Sequence, residues 1–282
     1  MRVFDSKASV REFTSSLKAR GRIIGFVPTM GALHKGHLSL VNKALTENDE
    51  VFVSIFVNPT QFNNQNDLAN YPRTLAKDLE ALRTIEGVIH VFAPTAEDIY
   101  DDHITSSEFD FDGLEFEMEG KFRAGHFDGV GTVISKLFEI VQPDNAYFGQ
   151  KDYQQLLIIK KLVSKYEIPV NIVGCDIFRE SNGLAMSSRN ELLLPEHKEN
   201  ASFIYDTLKK AKEKFGTESA NEVSEWVDKQ FAGHEFLKLE YFEIADAETL
   251  KTVKRKSSKK RYRAFIAAYA NAIRLIDNIP LN

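Results

Sequence analysis

Apolar positions in the first two-thirds of the chain switch between short continuous runs and a helical period. Ile23–Val27 is a short apolar run that ends at Pro28. His37–Asn48 then carries Leu38, Val41 and Leu45 at the spacing of one helix face. "EVFVSIFV" (Glu50–Val57) is β-branched and aromatic and predicts a buried strand, which "NPTQF" ends. Thr74–Ile85 predicts a helix with Leu75, Leu79 and Leu82 on one side, and "VIHVFAP" (Val88–Pro94) another strand. Val130–Val141 predicts a helix stopped by Pro143, and "AYFG" (Ala146–Gly149) a short strand. A helix over Asp152–Tyr166 and a strand over "VNIVGCDIF" (Val170–Phe178) complete the series.

Strand alternating with helix implies an α/β fold with a parallel sheet covered on both faces, doubly wound through right-handed crossovers. Ligands in such sheets bind beyond the carboxyl ends of the strands. The segments in that position are Pro28–His37, Asn58–Gln61, Gly149–Gln155 and Phe178–Arg189. After about Pro195 the pattern changes. Helices over Glu196–Phe215 and Ala220–Phe231 precede strand-like "LKLEYFEIAD" and "RYRAFIAAYANAIRLID", which a basic turn separates. This predicts a smaller α+β domain. No repeat or low-complexity tract interrupts the chain.

Composition narrows the class without changing the fold. The 282 residues suffice for one large domain or two ordinary ones, and 43% hydrophobic with 27% charged is usual for a soluble globular protein. A net charge of −5 argues against general nucleic-acid binding. Cys175 is the only cysteine, which excludes an internal disulfide or a multi-cysteine zinc site and suits a reducing cytosol. "MRVFDSKASV" has no apolar signal core, and no apolar run approaches the ~20 residues of a membrane span. The expectation is a soluble cytoplasmic protein with no membrane or nucleic-acid partner.

"PTMGALHKGHLSLV" (Pro28–Val41) sets His34 and His37 at a helix start, with Gly31 and Gly36 beside them. A helix N-terminus has unpaired N–H groups and partial positive charge, so it favours anions. Imidazoles there can donate to phosphoryl oxygens and stabilise charge that develops at phosphorus. Zinc needs three or four ligands, and no nearby Cys, Asp or Glu completes a set, so no metal ligand is assigned.

Other segments on the same rim carry two readings each. Asn58 and Gln61 are neutral amides suited to hydroxyls or a carboxylate, while Asn-Pro also starts turns. Lys151 can meet phosphate and Asp152 can cap a helix, with Gln155 one turn further on; a surface lysine and a plain cap serve equally. Ser187, Ser188 and Arg189 can wrap phosphates or form a capped loop. "EMEGKFRAGHFDGVG", with Arg123 and His126, is a mobile lid or an ordinary loop. The basic run Lys251–Arg263 resembles a nucleic-acid patch but reads better as a solvated hairpin turn.

Together "PTMGALHKGH", "FVNPTQF", "GHFDGVGTVISKLFEIVQPD", "YFGQKDYQQL" and "GLAMSSRN" resemble the pantothenate synthetase (pantoate–β-alanine ligase) family, among the HxGH nucleotidyltransferases. The resemblance covers nearly the whole chain, in order. It implies a Rossmann-like domain over residues 1–174, a smaller domain over 175–282 that closes over ATP, and a homodimer. It implies that ATP and pantoate give pantoyl adenylate and pyrophosphate, and that β-alanine then displaces AMP, with Mg²⁺ accompanying ATP. Carried over by position, His34, His37 and Lys151 meet phosphate, and His37 is the candidate proton donor. Met30, Gly31, Gly149, Gln150, Asp152, Phe178, Met186, Ser187, Ser188 and Arg189 contact ATP. Gln61, Gln155, Asn58 and Met30 serve pantoate, Arg123 and His126 match a gate loop over residues 115–129, and Asp78 helps position Mg²⁺ indirectly. Gln150 stands where the family usually has Glu, and Phe178 where a smaller aliphatic is common. A nucleotidyltransferase with no amine step is the nearest alternative, and a nucleic-acid-binding protein the alternative outside enzymes.

Overall fold

The apolar runs of the first half pair side by side and all in one direction. The computed structural model describes residues 1–62, 65–101 and 103–282. Its larger sheet contains β1 (Arg2–Phe4), β2 (Ile24–Thr29), β3 (Glu50–Ile55), β4 (Ile89–Phe92), β5 (Asn145–Gly149) and β6 (Asn171–Cys175). The order across it is β1-β4-β3-β2-β5-β6, and every pairing is parallel. Between the strands run α1 (Lys7–Lys18), α2 (Lys35–Leu45), α3 (Gln65–Asn70), α4 (Leu75–Arg83), α5 (Ala96–Tyr100), α6 (Glu119–Phe122), α7 (His126–Val141) and α8 (Tyr153–Lys165).

Both faces of this sheet are covered. Val51 and Val53 of β3 join Val27, Val91 and the Val41 and Ala44 of α2 in one core. Phe52, pointing the other way, packs on Phe4 and on Phe13 of α1, while Phe26 of β2 meets Phe138 of α7. A central strand buried on both sides has no polar face, which is why "VFVSIF" lacks alternation.

The winding reverses between β2 and β5. From β2 the chain steps outward through β3 and β4; β5 returns to the other side of β2 and continues to β6. β2 pairs with β5 only at Gly25 and Phe26, whereas its ladder with β3 continues to Thr29. Pro28, which has no N–H to give, stands where β5 no longer pairs. The two strands therefore part at their carboxyl ends, the crevice position of a doubly wound sheet.

Several predicted bounds shift. β2 continues through Pro28 to Thr29 instead of stopping at Val27, and β6 ends at Cys175, leaving Phe178 outside any strand. α7 begins at His126 rather than Val130 and stops where Gln142 turns left-handed (φ 51°) before Pro143. The β1–α1 unit has no counterpart in the pattern reading, because a three-residue edge strand is too short to show a period.

The chain divides into two compact units. The first comprises Met1–Gln150 and Gln154–Asp176, the second Lys151–Tyr153 and Ile177–Asn282. The second unit holds α9 (Pro195–Asn200), α10 (Phe203–Phe215), α11 (Ala220–Phe231) and an antiparallel sheet of β7 (Leu237–Asp246), β8 (Tyr262–Ala270) and β9 (Ile273–Pro280). Its core joins Ile204 and Leu208 of α10 and Val223 and Val227 of α11 to Ile244, Ala264 and Ile266 of the sheet. "RYRAFIAAYANAIRLID" is two strands, folded back at Asn271 (φ 54°) so that Ala270 faces Ile273. The basic run fills the β7–β8 connection, where Lys260 pairs with Asp246 at 2.8 Å. Among the described residues no helix is long and apolar enough to cross a membrane.

Candidate active site

β2 leads into α2 through a turn that glycine makes possible. Gly31 has φ +81° and Ala32 φ 49°, two successive left-handed residues. Asp78 of α4 holds this turn. Its side chain is 2% exposed and accepts the Ala32 N–H at 3.1 Å and the Leu33 N–H at 2.7 Å. The Thr74 hydroxyl adds a longer bond. Both carboxylate oxygens are thus directed to protein donors. Asp78, to which the resemblance gives an indirect part in placing Mg²⁺, holds the turn before the histidines.

The two histidines cap α2 reciprocally. His34 is the N-cap, and its Nδ1 accepts the Gly36 N–H at 3.1 Å. His37 Nδ1 accepts the His34 N–H at 3.4 Å. The rings stack with centroids 4.0 Å apart. A backbone N–H can only donate, so each Nδ1 is an acceptor and each neutral ring carries its proton on Nε2. The cap satisfies helix donors and fixes the tautomer of two imidazoles together. Among the described residues no group of three or more His, Cys, Asp or Glu gathers as a metal site.

Beyond β3, the chain forms a 3₁₀ turn over Pro59–Gln61, capped by Asn58. Asn58 is 1% exposed and bonded entirely to protein: to Thr60, Tyr100, Gly129 and Gln61. It lies behind Gln61, in the turn-forming role that Asn-Pro also suggested. Gln61 is half-buried, and its Nε2 donates to Met30 Sδ at 3.1 Å, joining two of the predicted site residues. Its backbone carbonyl meets Arg123 Nη2 at 3.3 Å and His126 Nδ1 at 2.9 Å. The glycine-rich segment over 115–129 therefore contains short helical pieces and touches Gln61. It is also pinned by Gln154, a buried side chain that donates to the Leu114 and Glu117 carbonyls at 2.8 and 2.7 Å and accepts the Glu119 N–H.

After β5, Gly149 and Gln150 lead into a 3₁₀ turn over Gln150–Asp152. Gln150 Nε2 donates to Asp176 at 3.3 Å, and Gln155 is half-buried in the first turn of α8. Lys151 and Asp152 belong to the second unit, where the Lys151 carbonyl accepts from Asn278 at 2.9 Å. Asn278 follows Asp277, whose carboxylate forms a two-pronged pair with Arg179 at 2.6 and 3.0 Å. Arg179 adjoins Phe178, which is exposed and whose carbonyl accepts the Met186 N–H at 3.0 Å. Ser187 then caps a 3₁₀ turn over Ser188–Leu192 by accepting the Arg189 N–H. The capped-loop reading of "MSSRN" is present, and Ser188 and Arg189 are half-buried in it.

Sequence reasoning missed Tyr100, Gln154 and the Arg179–Asp277 clamp. Their partners lie 35 to 98 residues away in the chain, so no local spacing announces them.

Taken by itself, the first unit defines a doubly wound α/β class of protein: a parallel sheet with a switch point, and beside it a histidine-capped helix N-terminus, a position suited to an anion. Comparison with known proteins narrows this class. A family model described as pantoate–beta-alanine ligase matches residues 2–280. The pantothenate synthetase of Christiangramia forsetii is 58% identical over 282 residues, covering all of both chains, and that of Flavobacterium psychrophilum is 56% identical over 281. Among solved structures, pantothenate synthetase from Thermus thermophilus superposes with a TM-score of 0.90 at 37% identity, covering 100% of this chain and 99% of that one. Pantoate–beta-alanine ligase from Francisella tularensis, complexed with beta-gamma ATP and beta-alanine, gives 0.80 at 37% identity, covering 100% and 98%. The chain belongs to the pantoate–β-alanine ligase family and is a ligase.

Proposed function

We propose that this ligase joins pantoate to β-alanine, using ATP and passing through pantoyl adenylate. The observation that carries the reading is the reciprocal cap of His34 and His37, which commits both Nδ1 atoms to backbone and so places the proton of each neutral ring on Nε2 at the start of α2. That start follows β2 where β2 and β5 part.

Two anions, a carboxylate and a triphosphate, must meet, and their repulsion opposes reaction. The α2 N-terminus, the imidazoles, Lys151 and Arg189 offset it, and Mg²⁺ enters with ATP as part of the substrate. The pantoate carboxylate attacks the α-phosphorus; the bond to the β-phosphate oxygen breaks, and pyrophosphate leaves. His37 donates to the departing oxygens, with His34 beside it. The β-alanine amine then attacks the acyl carbon, AMP leaves, and the nitrogen releases its extra proton. No carboxylate is assigned as base for that step. By the family resemblance, Met30, Gly31, Gly149, Gln150, Asp152, Phe178 and Met186–Arg189 serve ATP, and Gln61, Gln155 and Met30 serve pantoate. Asn58 acts through Gln61. The residue 115–129 segment shields the water-sensitive adenylate. A homodimer completes the reading and rests on the resemblance alone, and light scattering of the eluted protein tests it; a cytoplasmic location rests on the lone cysteine and the lack of a long apolar run.

The test is release of AMP and pyrophosphate from Mg·ATP and pantoate, with and without β-alanine. AMP that appears only with β-alanine, alongside pantothenate, is the expected result. Pyrophosphate release indifferent to β-alanine would break the substrate assignment. His37→Ala is expected to cut adenylate formation by orders of magnitude while circular dichroism stays unchanged.

A further inference from the structure

Tyr100 closes α5, with 4% of its surface exposed. Its hydroxyl donates to Asn58 Oδ1 at 2.6 Å and lies 3.0 Å from the Thr60 hydroxyl. Burial raises its pKa above the usual tyrosine value, with the Thr60 and Asn58 hydrogen bonds opposing, so the phenol remains a donor through the neutral range.

Contacts to groups with only one option identify which end of the Asn58 amide is oxygen. The Gly129 carbonyl can only accept, and Asn58 Nδ2 meets it at 3.1 Å. The Thr60 N–H can only donate, and Asn58 Oδ1 faces it at 3.4 Å. Of these contacts to Oδ1, the Tyr100 hydroxyl is the shortest and best formed. The second Nδ2 proton is thereby directed at Gln61 Oε1, 3.1 Å away. With its oxygen engaged, Gln61 offers its other end, an NH₂ that donates to the Met30 thioether, a weak acceptor. An amide free to rotate would present oxygen as readily as nitrogen, and an oxygen repels a carboxylate.

We propose that Tyr100 is a positioning residue for substrate recognition: acting through Asn58, its hydroxyl holds the Gln61 amide with Nε2 as the donor end for the substrate's oxygens. This rests on the reading of Gln61 as a pantoate contact. No proton moves and no bond forms in the role; it is orientation alone.

Steady-state kinetics of the full chain test it, varying pantoate at saturating Mg·ATP and β-alanine. Tyr100→Phe is expected to raise KM for pantoate about tenfold, as for loss of one buried hydrogen bond, with KM for ATP within twofold. In a Gln61→Ala background the same substitution is expected to have no further effect. A penalty that persists at full size in that background, or that falls equally on ATP, would overturn the relay. Gln61→Ala with unchanged pantoate KM would instead overturn the reading of Gln61. Should Tyr100→Phe fail to fold, Asn58→Asp sets an oxygen against Gln61 Oε1 and must raise pantoate KM; an unchanged value there rejects the proposal.

Discussion

Asp78→Ala should disable the turn before the histidines, and the size of the effect follows from its bonds. The buried carboxylate accepts two backbone N–H groups, from Ala32 and Leu33. A hydrogen bond to a charged group contributes roughly 1.5–3 kcal/mol. Ala32 and Leu33 are half-buried, so water recovers part of that. A net loss of about 2–4 kcal/mol is expected. Against it stands the left-handed Ala32 at φ 49°, which costs roughly 1–2 kcal/mol for a residue with a side chain. With Asp78 present the turn is favoured by about 1–2 kcal/mol; without it the strain wins by a similar margin. At about 1.4 kcal/mol per factor of ten, the competent turn drops to roughly a tenth of molecules or fewer. Asp78→Ala should therefore lower kcat/KM about tenfold or more and lower the urea midpoint. Asp78→Asn retains one acceptor and should show a few-fold loss. Wild-type activity and midpoint in Asp78→Ala would refute the reasoning.

Three further predictions come from other contacts. A Cβ on Gly129 would sit 2.4 Å from the Thr60 carbonyl oxygen, so Gly129→Ala should destabilise by ~1–3 kcal/mol and raise pantoate KM, read by thermal denaturation and kinetics. Asp277→Ala leaves the Arg179 guanidinium only the Gly183 carbonyl and the Tyr205 ring and should cost ~2–4 kcal/mol in urea unfolding, more than the double replacement Arg179→Met with Asp277→Leu. Burial pushes His90 below its usual value, against the opposing pull of Glu50 at 2.8 Å. The unfolded chain then takes up that proton first, so stability should fall as pH drops below about 6.5 and level off beneath the lower folded value. The urea midpoint of wild type should show that slope and His90→Gln should show a shallower one, since burial also lowers His234; identical slopes would reject the assignment.

The repeating order of strand and helix was readable before any coordinates. Val51–Val53 of β3 and Ile24–Val27 of β2 are buried, so their runs have no polar face. The place of "PTMGALHKGH" directly after a strand was readable for the same reason. Bounds were less so. Nothing local says that β2 passes through Pro28, because only the early end of the β2–β5 ladder makes a missing N–H harmless there.

Amino-acid order by itself determined the type of most of the longer elements and the presence of two imidazoles, with glycines beside them, at a helix start. These depend on neighbours within a few residues: hydrophobic period, left-handed backbone, capping geometry. Only the tertiary structure decided what surrounds those groups. Asp78 reaches back to Ala32 and Leu33 from α4, Tyr100 reaches Asn58 across 42 positions, and Asp277 reaches Arg179 across 98. Such bonds form because burial removes water as a competing partner, and burial is a property of the assembled sheets and helices rather than of any segment.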